Sequence, residues 1–236
     1  MIDDQHPLQS VLSQLCMPAR GDGRAPVFAI VSADTGAGTS YVARNMALLA
    51  AKHYSAYNQR VALIDFDITN QQQAAYFRSP ACIAEYGEPM GPYDATFQVP
   101  PFWEVSPDGV DDSGRRKSTA LYGGLHLIGG SGLAVTEFRW SEVKAGQSVH
   151  IAAAREYWNT IRDHFALVII DTPAFDRTDI ALTVVPEADK TVIVCGADMA
   201  SHPSQQALSE RITAADGRCA GMVVNAGPAP VRSQLA

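Results

Sequence analysis

The chain has 236 residues, of which 47% are apolar and 18% are charged, proportions typical of a folded globular domain. Its formal net charge of -7 disfavours a surface that binds nucleic acid, so we expect no nucleic-acid partner. The four cysteines are far apart and form no CxxC pair, which favours reduced thiols over a disulfide framework or a zinc site.

Residues 1–24 form a predicted N-terminal segment ahead of a single domain at 25–236. The segment starts Met1-Ile2-Asp3-Asp4, acidic where a secretory signal would be basic, and no run approaches the ~20 apolar residues of a membrane span. We therefore expect a cytoplasmic protein. A short apolar pattern predicts one helix in this segment, packed on the body of the protein or on a partner. Its apolar residues are Leu8, Val11, Leu12 and Leu15.

A glycine-rich turn, Ser32-Ala33-Asp34-Thr35-Gly36-Ala37-Gly38-Thr39-Ser40, connects the first predicted strand, 27–31, to a predicted helix at 40–51. In this context the backbone amides can bind a phosphate at the positive end of the helix. The hydroxyl of Ser40 is placed to bind magnesium. A tight strand-to-helix turn without a ligand is the alternative.

Two lysines that phosphate-binding loops use are absent from this turn. Thr39 stands directly before Ser40, and Asp34 stands two residues before the first motif glycine. Their loss removes positive charge where charge develops during phosphoryl transfer, so we expect slow transfer. Arg44, one turn into the helix, is a candidate substitute, and a solvent-facing position is the alternative for it.

The second predicted strand, 61–64, is followed by Asp65 and Asp67. These carboxylates lie two residues apart, so both project to the same side at the carboxyl end of a strand. There they can orient magnesium and activate a nucleophile. The alternative, which applies to Asp67 above all, is a carboxylate that caps the following turn.

Residues from about 79 to 119 interrupt the alternation of strands and helices with six prolines and several glycines. Such a long stretch without periodicity predicts an irregular, poorly ordered insertion. Three of its aromatic residues can either dock a partner or pin the insertion to the body of the protein. They are Phe97, Phe102 and Trp103.

The third motif, Asp171-Thr172-Pro173, follows an amphipathic helix predicted at 155–165 and a strand predicted at 167–170. An aspartate at this strand end typically binds magnesium directly or through water. Asn225 ends the last predicted strand, 221–224, and can contact an adenine edge or form a turn.

Apolar runs rich in β-branched residues alternate with helix-like stretches along the chain. Runs that are apolar at nearly every position are typical of strands covered on both faces. The sequence therefore predicts an α/β fold with one mostly parallel sheet and helices on both faces. The predicted strands are 27–31, 61–64, 125–128, 167–170, 191–194 and 221–224.

The order and spacing of these motifs resemble the ParA/MinD superfamily of P-loop ATPases over about residues 26–227. Within it they most resemble the bacterial tyrosine kinases (BY-kinases) and kinase-like cytoplasmic proteins of exopolysaccharide biosynthesis. The resemblance implies that ATP or ADP and Mg²⁺ are cofactors. It implies that Asp67 is the catalytic residue if the protein is active. The implied nucleotide-binding residues are Gly36, Ala37, Gly38, Thr39, Ser40 and Asn225. The implied magnesium ligands are Ser40, Asp65 and Asp171.

The chain departs from the kinase pattern at several positions. Besides Thr39, Thr69 stands where the second motif has arginine, and Ala174 stands where the third has a second proline. Such kinases usually end in a tyrosine cluster, whereas no tyrosine follows Tyr157. We therefore expect a degenerate, pseudokinase-like protein that binds nucleotide with weak or absent phosphotransfer.

The resemblance also implies a place of action. The expected partner is the cytoplasmic part of a membrane polysaccharide co-polymerase, which would hold the protein peripherally at the inner membrane. A homo-oligomer is a further expectation. Two alternatives remain open: an active ATPase or tyrosine kinase of the same pathway, and a MinD-like positioning or cellulose-synthesis accessory ATPase.

Overall fold

The computed structural model describes residues 7–16, 23–107, 109 and 118–226. Parts of three predicted segments lie outside the described residues. They are 1–6 and 17–22 of the N-terminal segment, 108 and 110–117 of the insertion, and the end of the chain from residue 227, which has no tyrosine. No helix in the described ranges is both long and apolar enough to cross a bilayer.

The described chain forms six α-helices and ten strands, with short 3-10 turns between some of them. The helices are α1 (Pro7–Cys16), α2 (Thr39–Ser55), α3 (Gln72–Phe77), α4 (Pro80–Tyr86), α5 (Arg155–His164) and α6 (Pro203–Ala214). The strands are β1 (Val27–Val31), β2 (Val61–Asp65), β3 (Pro89–Asp94), β4 (Trp103–Ser106), β5 (Gly123–Ile128), β6 (Leu133–Phe138), β7 (Ser148–Ile151), β8 (Leu167–Asp171), β9 (Lys190–Gly196) and β10 (Cys219–Asn225).

Eight strands form the central sheet in the order β10-β9-β1-β8-β2-β6-β5-β3. All pairings from β10 to β6 are parallel, whereas β5 runs antiparallel to both β6 and β3. The prediction of a mostly parallel α/β sheet is therefore confirmed. The run at 125–128 is the exception, since it lies in an antiparallel strand. Its partner β6 was not predicted.

Side chains alternate between two buried layers on the faces of the sheet. From β1, Phe28 and Ile30 pack with α1 and α2, while Val27, Ala29 and Val31 pack with α5 and α6. The β1, β2 and β8 strands are buried at every position, which explains why they are apolar up to the aspartates, Asp65 and Asp171, that end β2 and β8. Helices thus cover both faces, as predicted. The predicted N-terminal helix is α1, and of its two alternatives the structure shows packing on the body of the protein.

The described part of 79–119 is not irregular, and that prediction is wrong. It contains α4, β3 and β4, and β4 pairs with β7 in a separate two-stranded sheet. Ser79 caps α4 by accepting a hydrogen bond from the Cys82 amide. Phe102 and Trp103 are 1% and 3% exposed among the aromatic residues of α5. These two side chains pin the segment to the body and are not available for docking.

A charged cluster lies on the antiparallel part of the sheet. Arg78 donates two hydrogen bonds to the carboxylate of Glu137, which also contacts Nε2 of His126 at 2.8 Å. The Arg78 guanidinium, together with the His126 contact, lowers the pKa of Glu137 to about 2. The cluster thus ties the end of α3 to β5 and β6.

Candidate functional site

The glycine-rich turn between β1 and α2 forms an anion cradle. Gly36 and Gly38 have φ angles of 86° and 90°, in the left-handed region that favours glycine. Gly38 is the N-cap residue of α2 and has no side chain with which to cap the first turn. The amides at the start of α2 therefore remain available to a phosphate, as the sequence indicates.

The side chain at the lysine position is held by a hydrogen bond within the loop. Thr39 is 8% exposed and its hydroxyl donates a hydrogen bond of 2.7 Å to Oγ of Ser32, which is fully buried. Asp34, at the second lysine position, accepts a hydrogen bond from Gln205 of α6 at 3.2 Å. Neither side chain supplies a cation, so the positive charge of the two motif lysines is missing at both of these positions.

Asp65 and Asp171 lie side by side at the carboxyl ends of β2 and β8, because they are partners in the parallel register. Both are buried, at 4% and 1% exposure. Gln73 of α3 joins them: its backbone amide donates to Oδ2 of Asp65 at 3.0 Å, and its Nε2 donates to Oδ2 of Asp171 at 2.6 Å. The same Nε2 donates to the carbonyl oxygen of Ser40 at 3.0 Å.

The remaining carboxylate oxygens of this pair, Oδ1 of Asp65 and Oδ1 of Asp171, are buried without a hydrogen-bond partner. Burial raises the pKa of Asp171 to about 6, although the hydrogen bond from Gln73 lowers it in part. Burial, followed by the charge of Asp171, raises the pKa of Asp65 well above its usual value. Two unsatisfied oxygens beside a serine fit a hard divalent cation such as Mg²⁺.

The protein side chains alone do not complete a metal site. Across residues 7–16, 23–107, 109 and 118–226, no three His, Cys, Asp or Glu side chains are grouped so that they could hold a metal ion. Mg²⁺ usually retains waters and binds through one or two carboxylates together with substrate phosphates. The pair Asp65 and Asp171, with Ser40, fits that mode of binding.

Asp67, the predicted catalytic residue, has both carboxylate oxygens engaged. Thr69 donates its hydroxyl to Oδ1 at 2.7 Å, and Nη1 of Arg177 donates to Oδ2 at 2.5 Å. Thr69, which replaces the arginine of the family motif, thus caps the acid. Arg177 comes from the loop after β8 and brings a positive charge to Asp67 from another part of the chain.

An open cleft of about 570 Å³ lies above the cradle, within the size range of small-molecule sites. Two arginines line it. Arg44 is half-buried, with its guanidinium 3.6 Å from the centre of the Tyr76 ring and donating to Oε1 of Gln73 at 3.1 Å. Its position is therefore not the solvent-facing alternative. The other lining residues include Gly36, Gly38, Thr39, Ser40, Asp67 and Arg177.

Asn225, the last residue of β10, lies against the glycine-rich turn between β1 and α2. Its Nδ2 donates to the carbonyl oxygen of Ala37 at 3.0 Å, and a Cβ on Gly38 would lie only 2.0 Å from that nitrogen. The structure thus brings Asn225 to the cradle, where it holds the loop. Its contact with adenine stays a prediction.

Two residues of the site were not found by sequence reasoning. Gln73 carries no signal beyond its place in the polar run after Asp67, and Arg177 is a single arginine in a loop. The only available clue for Arg177 was its position six residues after Asp171, close behind the third motif.

No protein-family model matches the chain, and no curated protein matches it either. Solved structures do match. The kinase domain of the Escherichia coli tyrosine kinase ETK is 16% identical with a TM-score of 0.57, covering 92% of this chain and 72% of that one. The Pyrococcus furiosus cell division ATPase MinD is 14% identical with a TM-score of 0.52, covering 85% and 72%. Cobyrinic acid a,c-diamide synthase from Mycobacterium smegmatis, solved with an ATP analogue and magnesium, is 12% identical with a TM-score of 0.52, covering 85% and 74%.

These likenesses define the class of the fold: it is that of the P-loop ATPases. Within that class the chain has the fold of the ParA/MinD type, close to the fold of bacterial tyrosine kinase domains. The resemblance drawn from the motifs is confirmed at this level.

Proposed function

We propose that the cleft binds ADP or ATP with Mg²⁺, and that the chain is a degenerate kinase-like protein with weak or absent phosphotransfer. The observation that carries the proposal is the contrast within one loop. The backbone cradle at Gly36 and Gly38 is retained, while Thr39 is hydrogen-bonded to Ser32 where a lysine would reach the phosphates.

Magnesium binding is supported by the buried acid pair. Oδ1 of Asp65 and Oδ1 of Asp171 have no hydrogen-bond partner, and a buried carboxylate oxygen left in that state is unfavourable. A cation next to Ser40 would satisfy both. Mg²⁺ would supply positive charge beside the phosphates, and the two carboxylates and the hydroxyl of Ser40 would hold it there.

Weak phosphotransfer is supported by the contacts of Asp67, the predicted catalytic residue, and by the missing lysines. Asp67 is ion-paired with Arg177 and hydrogen-bonded to Thr69, so both of its carboxylate oxygens are occupied. The positions of both motif lysines lack a cation. Loss of such charge is expected to slow phosphoryl transfer by orders of magnitude.

A role in exopolysaccharide synthesis or export is the further part of the proposal. It is supported by the likeness of the fold to bacterial tyrosine kinase domains and by the motif order. In that role the protein docks on the cytoplasmic part of a membrane polysaccharide co-polymerase. This places it at the inner membrane through its partner.

A working ATPase is the second candidate, and the two arginines of the cleft favour it. Arg44 and Arg177 both line the cleft, and a guanidinium can stabilise phosphate charge. Such an enzyme would use arginine where related loops use lysine.

Titration calorimetry with ADP and ATP, with and without Mg²⁺, tests the nucleotide site. We expect binding that is tightened by Mg²⁺ in the wild type and that loses this dependence in Ser40→Ala. Absence of binding to either nucleotide would refute the proposal. ATP turnover that Ser40→Ala and Asp65→Ala both abolish would favour the working ATPase. Binding to a purified co-polymerase cytoplasmic segment tests the docking.

A further inference from the structure

Arg177 lies where a nucleotide phosphate would approach the cradle. It lines the cleft together with Gly36, Gly38 and Ser40. Its side chain is 38% exposed and pairs with Asp67, whose side chain is 13% exposed. A guanidinium that is partly exposed at the wall of an anion cradle can contact a phosphate without rearrangement of the backbone.

The loop that carries Arg177 is fastened to the phosphate-binding loop. The amides of Phe175 and Asp176 donate to the carbonyl oxygens of Ser32 and Ala33, each at 3.0 Å. The carboxylate of Asp176 accepts hydrogen bonds from both the amide and the hydroxyl of Thr35 at 2.8 Å. These four bonds fix the backbone next to Arg177 relative to the cradle. The arginine is therefore positioned by the same loop that would hold the phosphates.

Arg44, the other arginine of the cleft, is less suited to this contact. Its guanidinium stacks on Tyr76 and donates to Gln73, which in turn holds Asp171. Burial lowers the pKa of Arg44, although the guanidinium stays charged at neutral pH. It supports the wall of the site, whereas Arg177 is the more accessible of the two.

We propose that Arg177 binds the nucleotide phosphates in place of the absent lysines, and that Asp67 is its counter-ion when no nucleotide is bound. This inference rests on the proposed nucleotide site. A phosphate group carries more charge than one carboxylate, and Arg177 can bind it through two parallel hydrogen bonds. Asp67 and the phosphate therefore compete for the same guanidinium. In this scheme Asp67 is a regulator of affinity instead of a general base.

Two substitutions with opposite expected effects test the competition, using ADP affinity in calorimetry without Mg²⁺. Arg177→Gln removes the cation and should weaken ADP binding by about ten- to a hundredfold, the range for hydrogen bonds to charged groups. Asp67→Asn removes the competitor and should tighten binding by about three- to tenfold. In the double variant this gain should vanish.

A matched control is available at the opposite end of the sheet. Arg24 also pairs with an aspartate, Asp163, and its side chain is 34% exposed. Arg24→Gln should leave ADP affinity unchanged. Thermal unfolding of each variant shows that it is folded, and Arg177→Lys, which keeps the charge, is expected to retain part of the affinity.

The outcomes separate the two proposals. If the wild type binds ADP and Arg177→Gln binds it equally well, the inference is overturned while the nucleotide site stands. If Asp67→Asn weakens binding, or tightens it equally without Arg177, the competition is overturned. If the wild type binds no ADP, both proposals fail.

Discussion

Asp171→Asn should stabilise the protein and remove one ligand of the proposed magnesium site. Asp171 is buried beside Asp65, and burial raises its pKa from 3.8 to about 6. The asparagine has nearly the same volume, and its carbonyl oxygen can still accept the hydrogen bond from Gln73. The substitution therefore removes a buried negative charge without opening a cavity.

The size of the effect follows from the pKa shift. Because the folded-state pKa is raised, the folded protein binds the proton more tightly than the unfolded chain does. Asp171 therefore does not lower the free energy of unfolding below about pH 4, where it is protonated in both states. It lowers the free energy of unfolding progressively as the pH rises through 6. A shift of about two units corresponds to about 3 kcal/mol. Asp171→Asn should gain about 3 kcal/mol at pH 8, and less than about 1 kcal/mol at pH 4.

Urea unfolding without Mg²⁺, followed by circular dichroism at pH 4 and pH 8, measures this difference. Asp163→Asn is the control, because that side chain is 60% exposed, and its effect should stay within about 0.5 kcal/mol at both pH values. The reasoning would be refuted if Asp171→Asn were no more stable than the wild type at pH 8, or if its gain did not depend on pH.

Three further substitutions test other parts of the structure. Thr39→Lys should tighten MgATP binding by about tenfold in calorimetry, whereas Thr39→Val should not, because only the lysine returns a cation to the cradle. Gly36→Ala should cost about 1 kcal/mol in urea unfolding from backbone strain alone, and Gly38→Ala about 2–3 kcal/mol, since its Cβ would also meet Asn225. An equal cost at both glycines would contradict this view. Glu137→Gln should destabilise by about 1–2 kcal/mol at pH 7, after allowance for solvent screening. Because the pKa of Glu137 is lowered to about 2, that loss should shrink as the pH falls below 4.5, and unfolding at pH 3.5 checks it.

The central part of the fold was predictable because strands buried on both faces consist almost entirely of apolar residues, a pattern that the sequence shows directly. Strands such as β1, β2 and β8 are covered on both faces, so they are apolar throughout, apart from the aspartate that ends β2 and β8. By contrast β3 is mostly exposed and contains Pro89 and Pro92, so nothing in its composition indicates a strand. The helix α3 is only six residues long, too short to show a helical period.

The candidate site was predictable as a set of strand ends and one loop. Gly36, Ser40 and Asp171 were found because their motifs carry the chemistry within a few consecutive residues. Gln73 and Arg177 were missed because their roles depend on how separate segments meet in space. Tertiary packing decides whether a polar residue after a motif points towards the site. The spacing of residues within the motif does not predict this packing.

The contacts that assemble the cleft join residues that are remote along the chain. Gln73 and Asp171 are 98 positions apart, and Asn225 and Ala37 are 188 apart. Closing such long loops costs conformational entropy before the contact is formed, so we expect these contacts to form late in folding. The cleft is thus complete only when β1, β2, β8 and β10 are all in register. If the proposed nucleotide site is correct, nucleotide binding should appear during refolding only when these strands have paired.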